Sequence, residues 1–224
     1  MSVDVVIARH KEDINWLQHF VTQNLFLYNK SNSIVDLDLP NLNVFNVKNW
    51  GRESDTYLTH IVDHYHDLAD VTLFLQGHPF DHCPYLLGIT GCNSISEIVY
   101  TSYQFHHPCS STLYYNDNFV GIGSAWVNTQ DGNNNWDRYC WYFPTMRVFE
   151  VLFGRSVLPS TVKAVWGAQF AITKECLRKF TLEQYKELKN ISDTEYYLPW
   201  GLEKYWPFIY SDNQIKNAVQ PYYF

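Results

Sequence analysis

A dense basic run is missing from this chain of 224 residues, in which 16 Lys and Arg face 23 Asp and Glu for a formal net charge of -7. Non-specific nucleic-acid binding rests on clustered cations that neutralise phosphates, so it is not the main task here. No Cys-x-x-Cys pair occurs either. The five cysteines (Cys83, Cys92, Cys109, Cys140 and Cys176) stand singly, which fits reduced thiols better than a disulfide framework or a zinc cage. No apolar run approaches the roughly 20 residues of a bilayer-spanning helix. The opening MSVDVVIARHKED has too short an apolar stretch for a secretory signal and reads as the start of a strand, so the expected location is cytoplasmic. Also missing are a G-x-G-x-x-G after the first strand and any G-x-x-x-x-G-K-[ST], which argues against dinucleotide dehydrogenases and P-loop enzymes. Gly121-Ile122-Gly123-Ser124-Ala125 departs from G-x-S-x-G, so no nucleophile elbow is present.

Aromatic residues, by contrast, are abundant at 17%, with 8 Trp and 17 Tyr. Most belong in a core or on half-buried sheet surface, and a minority are available to line a cleft. The first third alternates strand and helix. Val3 to Ala8, Leu25 to Tyr28, Asn43 to Val47 and Val71 to Leu75 read as strands. Asp13 to Val21 reads as a helix, as does a segment opened by Gly51-Arg52-Glu53-Ser54-Asp55 that buries Tyr57, Leu58, Ile61, Val62 and Tyr65. That βαββαβ order with short links predicts an α/β layered sheet.

Further along, Ser94 to Tyr100 reads as a short helix and Asn128 to Asp137 as a polar surface loop. Pro144 to Phe153 suits a helix that Gly154 stops. Val162 to Ile172 reads as a buried strand broken at Gly167, and Thr181 with Gln184 as a capping box for a helix near Leu182 to Lys189. Leu202 to Tyr210 closes the pattern as an aromatic-rich helix or turn. No repeat or linker divides the chain, so residues 1–224 are expected to form one domain.

The most informative stretch is Asp70 to His82, DVTLFLQGHPFDH. Its apolar run ends in Gln76-Gly77, and His78, Asp81 and His82 follow at once. A buried strand that delivers a carboxylate and imidazoles at its carboxyl end is where an open α/β sheet places a ligand or metal. Three other strand-end clusters would share that crevice: Ala8-Arg9-His10, Asn29-Lys30, and Gly51-Arg52-Glu53 with Asp55. Arg9, Lys30 and Arg52 together would suit a phosphorylated ligand, although each alone is also what an ordinary surface carries. Asp81 with His78 would hold Mn²⁺, or Mg²⁺ through the carboxylate, with water and a diphosphate completing the shell. His106-His107 and His82-Cys83 are read as structural.

A family resemblance runs through these residues. VVIARHKEDINWL, LYNKS, GRESDTYLTHIVDHY, DVTLFLQGHPFDH, WGAQFAITKECL and LEKYWPFIY, in this order, resemble an uncharacterised family known from fungi and large viruses. Its members are similar to the A-type glycosyltransferases, and one such domain occurs in algal-virus enzymes that glycosylate capsid protein. The resemblance covers Val3 to about Tyr210. It implies a single-domain, Rossmann-like mixed sheet flanked by helices, and a nucleotide-sugar donor with a glycan or protein acceptor.

On that resemblance Ala8, Arg9 and His10 would face base and ribose, and Arg52 and Asp55 the donor phosphates or sugar. Lys30, Gln76 and Gly77 complete the expected donor-binding set. The segment holding His78 and Asp81 would replace the usual D-x-D metal motif; where many relatives carry an acid, this chain has His78. Sugar transfer needs a carboxylate to take the acceptor hydroxyl proton. Glu195 is the first candidate, Asp193 the second and Glu203 the third. Trp166, Trp200 and Trp206 are candidate faces for stacking sugar rings. A non-catalytic nucleotide-sugar or carbohydrate-binding module on the same fold is the competing expectation, and a metal-dependent hydrolase the third.

Overall fold

The computed structural model describes residues 1–105, 115–122, 125–129, 142–156, 158 and 161–210, with backbone alone for 102–105, 115, 125–129, 142, 161–164 and 166. Strand β1 (Val3–Arg9) is buried along its whole length. It lies between β2 (Asn24–Asn29) and β4 (Val71–Gln76), parallel to both, and β3 (Leu42–Asn46) extends the parallel set beyond β2. A strand covered on both faces cannot alternate apolar with polar, which is why Val3 to Ala8 reads as one apolar run. The two-residue period instead divides its side chains between two cores. Val3, Val5 and Ile7 pack with Leu25, Leu27, Leu73 and Leu75, whereas Val6 and Ala8 pack with Tyr28 and Phe74.

The second of these cores is covered by α1 (Arg52–Asp63), α3 (Tyr142–Phe153), α5 (Leu182–Thr194) and α6 (Leu198–Tyr210). The first is covered by α2 (Ile95–Phe105) and by single turns at Asn15–His19 and Leu86–Ile89. Beyond β4 the sheet turns antiparallel. Strand β9 (Phe170–Thr173) pairs with β4, and β6 (Phe119–Gly121) and β5 (Tyr115–Asn116) complete the seven-stranded order β3-β2-β1-β4-β9-β6-β5. Strands β7 (Ala125–Thr129) and β8 (Thr161–Val165) form a separate antiparallel pair, and the short α4 (Lys174–Leu177) follows β9. No helix among the described residues is long and apolar enough to cross a membrane.

Several expected elements change length. Asp13 to Val21 is not an α-helix but the short 3-10 helix Asn15–His19. The Asp13 carboxylate accepts the Asn15 N–H at 2.9 Å, and β2 begins at Asn24, leaving no length for further turns. Trp16, Leu17 and Phe20 still anchor the link in the core, while Val21 is exposed. Val162 to Ile172 is two strands, β8 and β9, in different sheets, because Gly167 turns the chain between them at φ 79°. The Thr181–Gln184 capping box is present, and its helix runs on to Thr194. The helix expected from Ser94 to Tyr100 continues to Phe105, and Leu202 to Tyr210 belongs to a helix that begins at Leu198. Of the expected polar loop, Asn128 and Thr129 lie in β7 and the remainder falls outside the described residues. Cys83, Cys92 and Cys176 are buried thiols; Cys109, Cys140, His106 and His107 lie outside the described residues.

Candidate functional site

The parallel register brings the carboxyl ends of three strands together. Arg9 lies opposite Asn29, and Ala8 opposite Gln76, so β1, β2 and β4 end side by side. After β1 the chain folds back on itself. The Glu12 carboxylate accepts the His10 N–H at 2.6 Å and the Lys11 N–H at 3.0 Å, which brings it against Gly77. A Cβ on Gly77 would sit 2.6 Å from that carboxylate and 3.2 Å from the Arg9 Cα, so a larger residue would have to displace Glu12 from its two N–H donors. Buried Arg9 ties the loops together: Nε donates to the Glu12 carbonyl at 3.0 Å, and Nη1 to Asn29 Oδ1 at 2.9 Å and Ser33 Oγ at 3.0 Å. His10 is exposed at the rim. Beside these bonds, Asn29, Ser31, Ser33 and Asn46 line an open groove of about 630 Å³ with Ile34, Val35, Val44 and Val47.

Lys30 turns the other way, beneath the start of α1. Its ammonium donates to the carbonyls of Trp50 and Arg52 and lies 3.9 Å from Asp55 Oδ2. Burial pulls its pKa down to about 8, against the opposing pull of Asp55 and Glu53. Asp55 is buried as well, with Lys189 Nζ at 3.1 Å and the Ser192 hydroxyl donating to its Oδ1 at 3.2 Å. This cluster pins the Gly51-Arg52 turn, where Arg52 itself adopts φ 48°. Left-handed backbone in a residue with a side chain is costly and persists where the surroundings enforce it.

That turn aims Arg52 and Glu53 at the end of β4. Arg52 is half-exposed, with Nε 3.3 Å from Glu53 Oε2 and its guanidinium 5.2 Å from the Trp200 ring centroid. The other Glu53 oxygen accepts from Gln76 Nε2 at 3.1 Å. Across from Gln76 stands Gly167, whose N–H donates to Glu203 Oε1 at 2.8 Å. A Cβ there would lie 2.6 Å from His82 Cδ2 and 3.2 Å from Gln76 Oε1, and its φ of 79° also favours glycine. Glu53, Gln76, Gly167 and Glu203 thus form a chain of contacts over the β4 end, joining α1 to α6.

Burial holds the Glu203 carboxyl above its ordinary pKa; the Gly167 N–H pulls it down, Glu53 pushes it up, and Arg52 and His82 lower it. Polar atoms around it lack partners. Tyr57 is fully buried close enough to feel both Glu53 and Glu203, and its hydroxyl has no hydrogen-bond partner among the described residues. Glu203, Gln169 and Trp206 border one small interior space, and Gln169 Oε1 and Trp206 Nε1 are likewise unpartnered among the described residues. Buried polar atoms of this kind are costly, and they concentrate where a protein does chemistry.

Exposed His78 and Asp81 stand at the two ends of the turn that carries buried Pro79, with His78 Nε2 3.6 Å from Asp81 Oδ1. That separation places the two donors within reach of one cation, with water and ligand left to complete its shell. Among the described residues, no group of three or more His, Cys, Asp and Glu is placed to hold a metal ion. Glu195 and Asp193 sit instead at the exposed end of α5. Glu195 pairs with Arg147 at 2.8 Å, and Asp193 pairs with Lys189, which also holds Asp55. Trp206 is buried in the core, Trp200 is only partly buried, and the Trp166 side chain lies outside the described residues.

Sequence reasoning left Glu12 out of the site without assigning it a place, and read Tyr57 as an ordinary core ring. Helical spacing was the usable signal for the rest, since Trp200 and Glu203 stand three residues apart on α6 and share a face. Fold and site together define a Rossmann-like α/β protein whose polar crevice lies at the carboxyl edge of a mixed sheet. The chain belongs to the family described as protein of unknown function DUF3431, whose model matches residues 5–221. No curated protein and no solved structure matches it.

Proposed function

We propose that this protein is a glycosyltransferase of A-type architecture. It moves a sugar from a nucleoside diphosphate donor, UDP-linked in the first instance, to a glycan or glycoprotein acceptor. The observation that carries this reading is Glu203, a mostly buried acid of raised pKa at the carboxyl edge of the parallel strands, linked through Gly167 and Gln76 to Glu53. A general base works best when its pKa approaches the working pH, and burial moves Glu203 in that direction. As the acceptor oxygen bonds to the anomeric carbon, Glu203 takes the hydroxyl proton. The bond from that carbon to the diphosphate oxygen breaks, and its electron pair leaves with the diphosphate. Arg52, half-exposed at the same edge, offers the departing charge a cation.

The groove lined by Asn29, Ser31, Ser33 and Asn46 offers neutral donors and acceptors suited to a ribose and a base edge. His78 and Asp81 would hold Mn²⁺ or Mg²⁺, which neutralises diphosphate charge when bound. The parallel order β3-β2-β1-β4 followed by antiparallel β9 is compatible with the proposed architecture.

Melting curves with UDP, GDP and dTDP at millimolar concentration, each with and without Mn²⁺, test the donor half. UDP with Mn²⁺ is expected to raise the melting temperature, and chelation to reverse the rise. No shift with any of the three nucleotides removes donor binding from the proposal. A shift without UDP release from UDP-sugars, across a panel of acceptors, leaves only a binding module.

A further inference from the structure

We infer that Trp50, Tyr196, Tyr197 and Trp200 form a carbohydrate-binding shelf that seats a pyranose ring of an oligosaccharide beside Glu203. Its role as the acceptor subsite rests on the transferase reading; the binding of carbohydrate does not.

The four rings touch one another although their segments are distant in the chain. Trp50 and Tyr196 have centroids 5.9 Å apart, Tyr196 and Tyr197 5.1 Å, Tyr196 and Trp200 5.8 Å, and Tyr197 and Trp200 5.7 Å. They are not core. Tyr196 is 58% and Tyr197 37% exposed, while Trp50 is only partly buried. Trp50 is fixed in place by its indole N–H, which donates to the Ser192 carbonyl at 2.7 Å. A preformed cluster of outward rings costs little ordering entropy when a ligand docks.

Charge and polarity around the rings select the occupant. Lys48 Nζ sits over the Trp50 ring, 4.9 Å from its centroid, and the Arg52 guanidinium over the Trp200 ring at 5.2 Å, so one face of each indole already carries a cation and the exposed Tyr196 ring offers the stacking face. The ion pairs Arg52–Glu53 and Arg147–Glu195 flank the patch with donors and acceptors. A pyranose has the complementary build, with a C–H face to lie on a ring and a rim of hydroxyls for charged and polar neighbours. Position strengthens the assignment. Trp200 and Glu203 share one face of α6, and Arg52 bridges Trp200 to Glu53, so the shelf is continuous with the acid cluster. A sugar lying on Tyr196 would reach past Trp200 toward Arg52 and the acid cluster.

Saturation-transfer NMR with chitohexaose, cellohexaose and mannohexaose at millimolar concentration tests the shelf on the full chain. At least one of these sugars is expected to bind the wild type. Tyr196→Ala, an exposed site chosen to leave the fold intact, is expected to weaken that binding about tenfold, and Trp200→Ala at least as much. Tyr196→Phe should keep most of the affinity, and the melting shift caused by UDP should be unchanged in both Tyr196 variants. No binding by any sugar of the panel, or equal binding by wild type and Tyr196→Ala, overturns the shelf. Binding that depends on the rings but without UDP release would retire the transferase reading while the shelf stands.

Discussion

Lys30 and Glu203 both bring charge to the carboxyl edge of one sheet, yet their surroundings are opposite. Lys30 meets two backbone carbonyls and Asp55, and Asp55 in turn is held by Lys189 and Ser192. Glu203 has the Gly167 N–H, while the Tyr57 hydroxyl, Gln169 Oε1 and Trp206 Nε1 lack partners among the described residues. A saturated cluster fixes a backbone turn and has little capacity left for a ligand. An under-satisfied one is costly to the fold and gains from whatever polar group enters it. The first positions Arg52 and Glu53, and the second is the better place for chemistry.

Substituting both residues breaks this comparison. Glu203→Gln keeps an oxygen for the Gly167 N–H but cannot take a proton. Transfer, measured as UDP release, is expected to fall by about 10²–10⁴-fold. Lys30→Met acts on the fold instead, since it strands the Trp50 and Arg52 carbonyls and one flank of Asp55. Urea unfolding should show a loss of about 3 kcal/mol. If Lys30→Met leaves stability unchanged, the saturated cluster is not what pins the turn.

The pH dependence of stability sharpens the contrast. The folded pKa of Glu203 is raised, so its contribution to stability is complete below the unfolded value and is lost as pH rises through the folded one. Glu203→Gln removes that loss. Its melting temperature should match that of the wild type near about pH 4, exceed it increasingly as pH rises toward the folded value, and keep a constant lead above it. A variant that gains nothing at neutral pH would show that the acid is comfortable where it lies. The smallest expected effect on stability belongs to Asp81→Ala. Asp81 is exposed on a surface turn, so stability should change by less than about 0.5 kcal/mol. The increment that Mn²⁺ adds to UDP binding should disappear, and an increment that persists removes Asp81 from the metal site.

The parallel half of the fold was legible because each of its signals is local. Val3 to Ala8 and Val71 to Leu75 are continuous apolar runs, and Gly51 to Asp55 carries the acids of a helix start. The Thr181–Gln184 box was equally readable, since its bonds span three residues. The turn at Asn15–His19 was misread because Trp16, Leu17 and Phe20 mimic a helical stripe, whereas the nearness of β2 limits the segment to one turn. In the site, Arg9, Gln76 and Gly77 do meet at neighbouring strand ends, as the strand readings imply. Burial ranks the acids differently, because Glu195 and Asp193 end in exposed ion pairs while Glu203 lies mostly buried at the end of β4.

Sequence alone determined where the parallel strands begin and end, and which polar residues stand at their carboxyl ends, because apolar period and turn chemistry act over a few residues. Tertiary structure alone decided that β9 runs antiparallel beside β4, and that Lys30 is saturated while Tyr57 is not. It also brought Trp50 to Tyr196 and Glu203 to Gly167. Desolvation and hydrogen-bond satisfaction depend on which segments pack together, and no local pattern encodes that.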